Sequence, residues 1–280
     1  QHRCIERALS GGPDARTIHF METLSGDTSI GHCTAYCGAL EALSEVHPSA
    51  RADAIRAIAA ELERLANHVG DLGALAGDVG FLTTLSYYGR LRGDLLNLTA
   101  MLCGNRFGRG LVVPGGVAYD LDDATAQGML RKLDDIEPNI KSAAELLFGA
   151  PSVLARFEGT GMITEELALE LGLTGVAARA CEVPCDVRSE FPYGLYRFTQ
   201  LPECTWSTGD CFARAYVRWL EIEASLDFVR AHLQSLPAGQ PVQQGRAIRP
   251  DHLVVSLTEG WRGEICHVAE IGRASCRERV

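Results

Sequence analysis

From Ser49 to Val69 the apolar residues Ile55, Ile58, Ala59, Leu62, Leu65, Ala66 and Val69 recur three to four positions apart. That period lines one face of an α-helix and cannot line one face of a strand. Ser49 stands where the helix needs an N-cap, because its hydroxyl can accept a first-turn N–H that has no partner within the helix. Glu61, Glu63 and Arg64 fall between the apolar positions and are expected to face away from the core. A helix with such a stripe needs other helices to cover it, and this requirement constrains the fold more than any other feature of the chain.

The flanking sequence supplies them. Ala35 to Glu45 reads as a helix stopped by His47-Pro48. Asp71 to Leu102 is apolar and dotted with glycine, as for one or two buried helices around Asp78. Gly104 to Gly110 and Val113 to Val117 read as an irregular break. Asp122 and Asp123 open a helix to Phe148 that passes Pro138, Thr164 caps a short helix ending at Gly172, and Asp210 opens a long one ending near Leu236. Only Leu253–Leu257 and Glu264–Val268 alternate as strands, joined by a glycine-bearing turn. The expected fold class is α+β and predominantly helical, with a small appended sheet.

Several function classes are excluded by composition. The net charge of −10 leaves no basic stripe to displace counterions from nucleic acid or to bind an anionic membrane. The longest apolar stretch, Leu72 to Gly89, contains Asp78 and cannot span a bilayer, so membrane association is expected through partners. The ten cysteines are scattered through a chain large enough to do without staples, so reduced thiols are expected. Cys33 and Cys37 would share a buried helix face, whereas Cys181 and Cys185 flank Pro184 in a loop. Absence of an initial methionine suggests a piece of a longer chain, and residues 271–280, which resemble a translated sequencing adapter, are expected to be a non-native tail after a domain spanning 1–270.

Generic motifs are uninformative. Gly159-Thr-Gly161 lacks the third glycine and preceding strand of a dinucleotide fingerprint, and Gly104 to Gly110 lacks the Lys-Ser/Thr of a phosphate loop.

An ordered set of longer segments is more specific. Glu61-Leu-Glu-Arg-Leu-Ala-Asn-His68, Leu72 to Gly80, Gly104-Asn-Arg-Phe107, Arg109 to Val117, Asp186-Val-Arg188, Gly209-Asp-Cys211 and Thr258-Glu-Gly-Trp-Arg-Gly-Glu264, with His2-Arg3 and Ile5-Glu6 near the start, resemble the corresponding segments of the 49 kDa-type subunit of respiratory complex I. They are also similar to large subunits of membrane-bound, formate-hydrogenlyase-type nickel-iron hydrogenases. The resemblance implies a hydrogenase large-subunit-like helical bundle with a small mixed sheet. It further implies an oxidoreductase subunit of a complex I-like NADH-quinone oxidoreductase, active only in the complex and peripheral at the cytoplasmic face of the inner or plasma membrane. Partners would be the small iron-sulfur subunit of such complexes, other peripheral-arm subunits and, through them, the membrane arm. No cofactor would be bound by this chain: quinone is the substrate, a 4Fe–4S cluster belongs to the partner, and NADH is used elsewhere.

Laid on the resemblance, the segment Ser25 to His32 occupies the hydrogenases' first metal-ligand loop, Arg-x-Cys-Gly-x-Cys-x-x-x-His. Thr23, Ser25, Thr28 and His32 take its defining positions, so Ser25 and Thr28 are hydroxyls at former thiolate positions. A neutral hydroxyl is a poor ligand for a soft metal, and no metal is expected here. Asp27 or Thr28 could instead cap the following helix. Gly26 falls where complex I relatives place a quinone-binding tyrosine. Asp78 matches an acidic position near their quinone pocket; a carboxylate in an apolar helix should be paired, with Arg90 or Arg92 as candidates, or be hard to ionise. The candidate catalytic residues are Asp78 and His32, and the candidate quinone-cleft residues are Gly26, Asp27, Asp186 and Arg188. Two alternatives are a hydrogenase large subunit with an altered metal site and a non-catalytic scaffold.

Overall fold

The computed structural model describes residues 5–9 and 13–272. Helices α1 (Ile5–Ala8), α2 (Thr17–Met21), α3 (Ser29–Ser44), α4 (Ala50–Asp78) and α5 (Leu82–Cys103) lead to a minimal ladder of β1 (Val112–Val113) and β2 (Gly116–Val117). Helices α6 (Asp123–Phe148), α7 (Pro151–Phe157), α8 (Glu165–Glu170), α9 (Gly175–Arg179) and α10 (Val187–Glu190) follow. A 3-10 turn (Gly194–Arg197), α11 (Cys211–Gln234) and a hairpin of β3 (His252–Gly260) and β4 (Gly263–Ile271) complete the order.

The centre is α4, as its stripe requires: Ile55, Ile58, Leu62, Leu65 and Val69 are fully buried against neighbouring helices, chiefly α5 and α11. Local chemistry places the helix starts. Ser49, Asp122, Thr164 and Asp210 each accept a backbone N–H of the first turn, from Ala52, Thr125, Leu167 and Ala213 respectively. The glycines of α4 serve close packing with α5. A Cβ on Gly73 would lie 3.0 Å from that of Tyr88, so the two backbones can approach only because Gly73 has none.

Residues 113–117, expected to be irregular, contribute to the β1–β2 ladder, with Val112 opposite Val117. The hairpin pairs His252 with Ile271 through to Gly260 with Gly263, and α3 packs against it. Both ladders are antiparallel, so among the described residues the sheet is not mixed. Cys33 and Cys37 are buried in the main core. Ile271, the first position of the expected tail, is the last residue of β4 and is buried; His2-Arg3 and positions 273–280 lie outside the described residues.

Candidate functional site

The loop before α3 meets the turn of the hairpin. Both carboxylate oxygens of Asp27 accept from Arg262, at 2.9 and 2.8 Å, and Arg262 lies over the Trp261 ring, its Cζ 3.8 Å from the centroid. The indole Nε1 of Trp261 donates to the Asp27 carbonyl at 3.1 Å and to the Thr28 hydroxyl at 3.2 Å. The Arg262 guanidinium holds the Asp27 carboxyl at about 2, against partial burial that would raise it. Neither expected side-chain cap forms: Thr28 is the N-cap of α3 but makes no capping bond, because its hydroxyl is engaged by Trp261 and Asp27. The cap comes from α4 instead, where Glu63 accepts the N–H groups of Ile30 at 2.8 Å and Gly31 at 3.2 Å.

Beside this junction lies a cleft of about 380 Å³ bordered by Ser25, Thr28, His32, Arg262, Glu264 and Cys266. His32 Nδ1 is 3.1 Å from Nε2 of His267 on β4, so one nitrogen donates and the other accepts. Burial lowers the basicity of both rings, that of His267 to about 4 with help from His32, while Asp27 partly opposes the effect at His32. Ser25 donates to Asp27 at 2.9 Å. A hydroxyl engaged this way is neutral and already committed, and the set Ser25, Thr28 and His32 does not fit a nickel-iron centre. Gly26 is exposed, with no atom within 4 Å of where a Cβ would stand.

Not every expected residue reaches this cleft. Asp78 is the exposed last residue of α4 and does not border the cleft. The expectation of a costly buried carboxylate is thereby corrected: Leu72, Gly73 and Ala76 take the buried face of the helix, and Asp78 falls with Ala74 on the exposed one. Its proposed partner Arg90 pairs with Asp94 at 2.9 Å, and Arg92 lies across Gly70. Asp186 and Arg188 pair with each other, with a closest contact of 2.6 Å, and belong to a buried network beneath the hairpin rather than to the cleft wall. Cys181 and Cys185 are free thiols, and among the described residues no three His, Cys, Asp or Glu side chains group as a metal site.

That network is what sequence reasoning missed. Glu61 and Arg64, expected outward, are 0% and 1% exposed. Glu61 accepts from Arg188 at 2.9 Å, Tyr196 at 2.7 Å and Ser225 at 2.6 Å. Glu221 gathers Arg64, His68 and Arg179, while Arg179 also reaches Glu259 at 3.0 Å. Arg64 donates to the carbonyls of Glu259 and Gly260 at 3.0 and 3.2 Å, bracing the hairpin just before Trp261 and Arg262. His68 must donate through Nε2, since a carboxylate only accepts, and its Nδ1 is buried without a partner. The available signal was the coincidence of Glu61, Arg64 and His68 on one long helix with Arg179, Arg188 and Glu221 far along the chain. Periodicity alone assigns such residues to solvent.

Arg262→Ala is expected to return the Asp27 carboxyl from about 2 to the ordinary aspartate range, at a stability cost below about 1 kcal/mol because the pair is partly exposed. In the wild type, this depressed carboxyl contributes stability above its unfolded-state value and loses it as pH falls through about 2. A carbon-detected NMR titration of Asp27 checks this, and an unmoved midpoint would remove Arg262 as the counter-ion.

Residues 78–268 match the sequence family described as respiratory-chain NADH dehydrogenase, 49 Kd subunit. The chain is 31% identical to a D-type subunit of the NADH-quinone oxidoreductase of Chloroherpeton thalassium, over 96% of this chain and 59% of that protein. It is 30% identical to the D-type subunit of the F(420)H(2) dehydrogenase of Methanosarcina mazei, over 87% and 65%. It is also 30% identical to a carbon monoxide-induced hydrogenase of Rhodospirillum rubrum, over 100% and 78%. The chain thus spans about three fifths of the length of the first two of these relatives.

Proposed function

The chain belongs to the family of the 49 kDa subunit of respiratory-chain NADH dehydrogenase, and from that membership we propose that it is a complex I-like oxidoreductase subunit whose cleft receives a quinone or related acceptor. Electrons come from a 4Fe–4S cluster held by a small iron-sulfur partner, and NADH or another donor is oxidised elsewhere in the assembly. Among the described residues no helix is long and apolar enough to cross a membrane, which supports a peripheral position reached through partners.

The observation that carries this reading is the donor set of the 25–32 loop. Its groups are two hydroxyls, an ion-paired carboxylate and an imidazole pair, suited to hydrogen-bonding a polar organic head group and poor at holding a soft metal. His32 borders the cleft, and Asp78 stands exposed at the end of α4, where a neighbouring subunit can meet it. We assign these two residues to proton coupling. We likewise assign Gly26 and Asp27, between the cleft residues Ser25 and Thr28, to the head-group entrance, and Asp186 and Arg188 to supporting its wall.

The test is quinone reduction by the assembled complex containing the full-length subunit, with metal analysis of the same preparation. Expected are quinone reduction without stoichiometric nickel and a clear loss of rate in Asp78→Asn. Stoichiometric nickel would favour the hydrogenase reading, to which the resemblance to the Rhodospirillum rubrum enzyme also points. Absence of any reduction beside an intact partner cluster would leave a scaffold.

A further inference from the structure

We propose that Glu63 is a proton-holding carboxyl next to the 25–32 loop, a positioning residue that seats the first turn of α3 and exchanges one proton with a small crevice that it shares with Asp27. What that proton serves rests on the redox reading above; that Glu63 holds it does not.

The geometry is unusual for a glutamate on a long amphipathic helix. Its oxygens reach across to α3 and take the N–H groups of Ile30 and Gly31, which lie 33 and 32 positions earlier in the chain. Each carboxyl oxygen keeps a lone pair when the group is protonated, so both bonds survive in either state. The added O–H hydrogen then has the crevice to face. Glu63, Asp27, Asn67, Thr99, Arg106 and Phe107 border that crevice, which has room for a single water at most.

The charges around Glu63 decide its state. From the loop before α3 comes the like charge of Asp27, and from the hairpin turn comes Arg262, already bound to both Asp27 oxygens. On its own helix, Arg64 is committed to Glu61 and Glu221, and Asn67 only ties the Glu63 and Asp27 carbonyls together. From the loop after α5 comes Arg106, while the α5 residues bordering the crevice, Leu96 and Thr99, are neutral. Among the described residues no cation forms a salt bridge with Glu63. Partial enclosure between α3 and α4 pushes its carboxyl up to about 8; the two N–H donors and, less, Arg64 oppose this, and Asp27 adds to it. Asp27 lies at about 2. Two neighbouring carboxyls driven apart in this way form an acid and a permanently ionised partner. Near neutral pH Glu63 carries a proton and Asp27 carries the charge. When a reduced acceptor demands a proton, the O–H bond of Glu63 breaks, its electron pair stays on the carboxylate, the proton passes through the crevice, and solvent restores the acid.

The test begins with an infrared pH titration of the chain. A protonated-carboxyl C=O band is expected to titrate near pH 8, to be missing in Glu63→Gln, and to move down by about one pH unit or more in Asp27→Asn, where the like charge is gone and Arg262 is freed. A band titrating in the ordinary glutamate range, or a band near pH 8 that persists in Glu63→Gln, overturns the proposal. In the assembled complex, Glu63→Gln is expected to remove the alkaline limb of the acceptor-reduction rate near pH 8, and an unchanged profile would overturn the coupling. The titration decides the assignment to Glu63 whether or not the complex reduces an acceptor, so the two readings fail separately.

Discussion

Replacing Glu221 by alanine is expected to lower the unfolding free energy by about 3–5 kcal/mol, the cost of leaving buried charges without their partner. Glu221 is 1% exposed and is the shared acceptor of three donors. One oxygen takes Arg179 through Nε at 3.0 Å and Nη2 at 2.6 Å; the other takes Arg64 at 3.0 Å and His68 at 2.8 Å. Burial alone would make this carboxyl hard to ionise, but Arg179, His68 and Arg64 together hold it well below the usual range. Truncation leaves Arg64 and Arg179 with fewer acceptors in a space that water cannot easily enter. The effect should extend to the cleft, because the same two arginines hold Glu259 and the carbonyl of Gly260 under the hairpin turn. Denaturant unfolding measures it, and a loss below about 1 kcal/mol would mean that the network is effectively solvated. The double variant Glu221→Ala, Arg179→Met is expected to lose less than the sum of the single changes, since both remove the same contact.

A second large effect is expected for Gly175→Ala. Gly175 opens α9 with φ +61°, where a Cβ costs about 1–2 kcal/mol. It also lies against the hairpin: a Cβ there would stand 2.1 Å from the Arg262 carbonyl oxygen and 2.4 Å from the Gly263 Cα. Both obstacles are backbone and cannot rotate away, so the hairpin or α9 must move, adding about 1–3 kcal/mol of overpacking. A combined loss of about 2–5 kcal/mol follows. Gly159 provides the control: its φ is +68° and it has open space around a would-be Cβ, so Gly159→Ala should cost only the backbone part. Equal losses in the two variants would show that the contact with Arg262 contributes nothing. If the contact matters, Gly175→Ala should also raise the Asp27 carboxyl, because the displaced turn carries its counter-ion.

The helical architecture was legible because its causes are local. Ser49, Asp122, Thr164 and Asp210 cap helices at the positions their side chains suggest, and the stripe from Ile55 to Val69 is buried as its spacing requires. The candidate site was only partly legible. The 25–32 loop could be found, and His32 lies on its cleft, but the partner that fixes Asp27 is 235 positions away and His32 meets a histidine equally distant.

The sequence by itself determined four capped helix starts, the central stripe, the terminal hairpin and, through its ordered segments, the family. Tertiary structure alone decided the state of each charge. On α4, Glu61 and Arg64 are enclosed by partners from α10, α11 and the hairpin, Glu63 is turned to cap another helix, and Asp78 is left in solvent. Hydrophobic periodicity records which face of a helix is apolar, whereas a carboxylate's ionisation depends on desolvation and on cations brought from distant parts of the chain. Those distances exist only once the chain has folded.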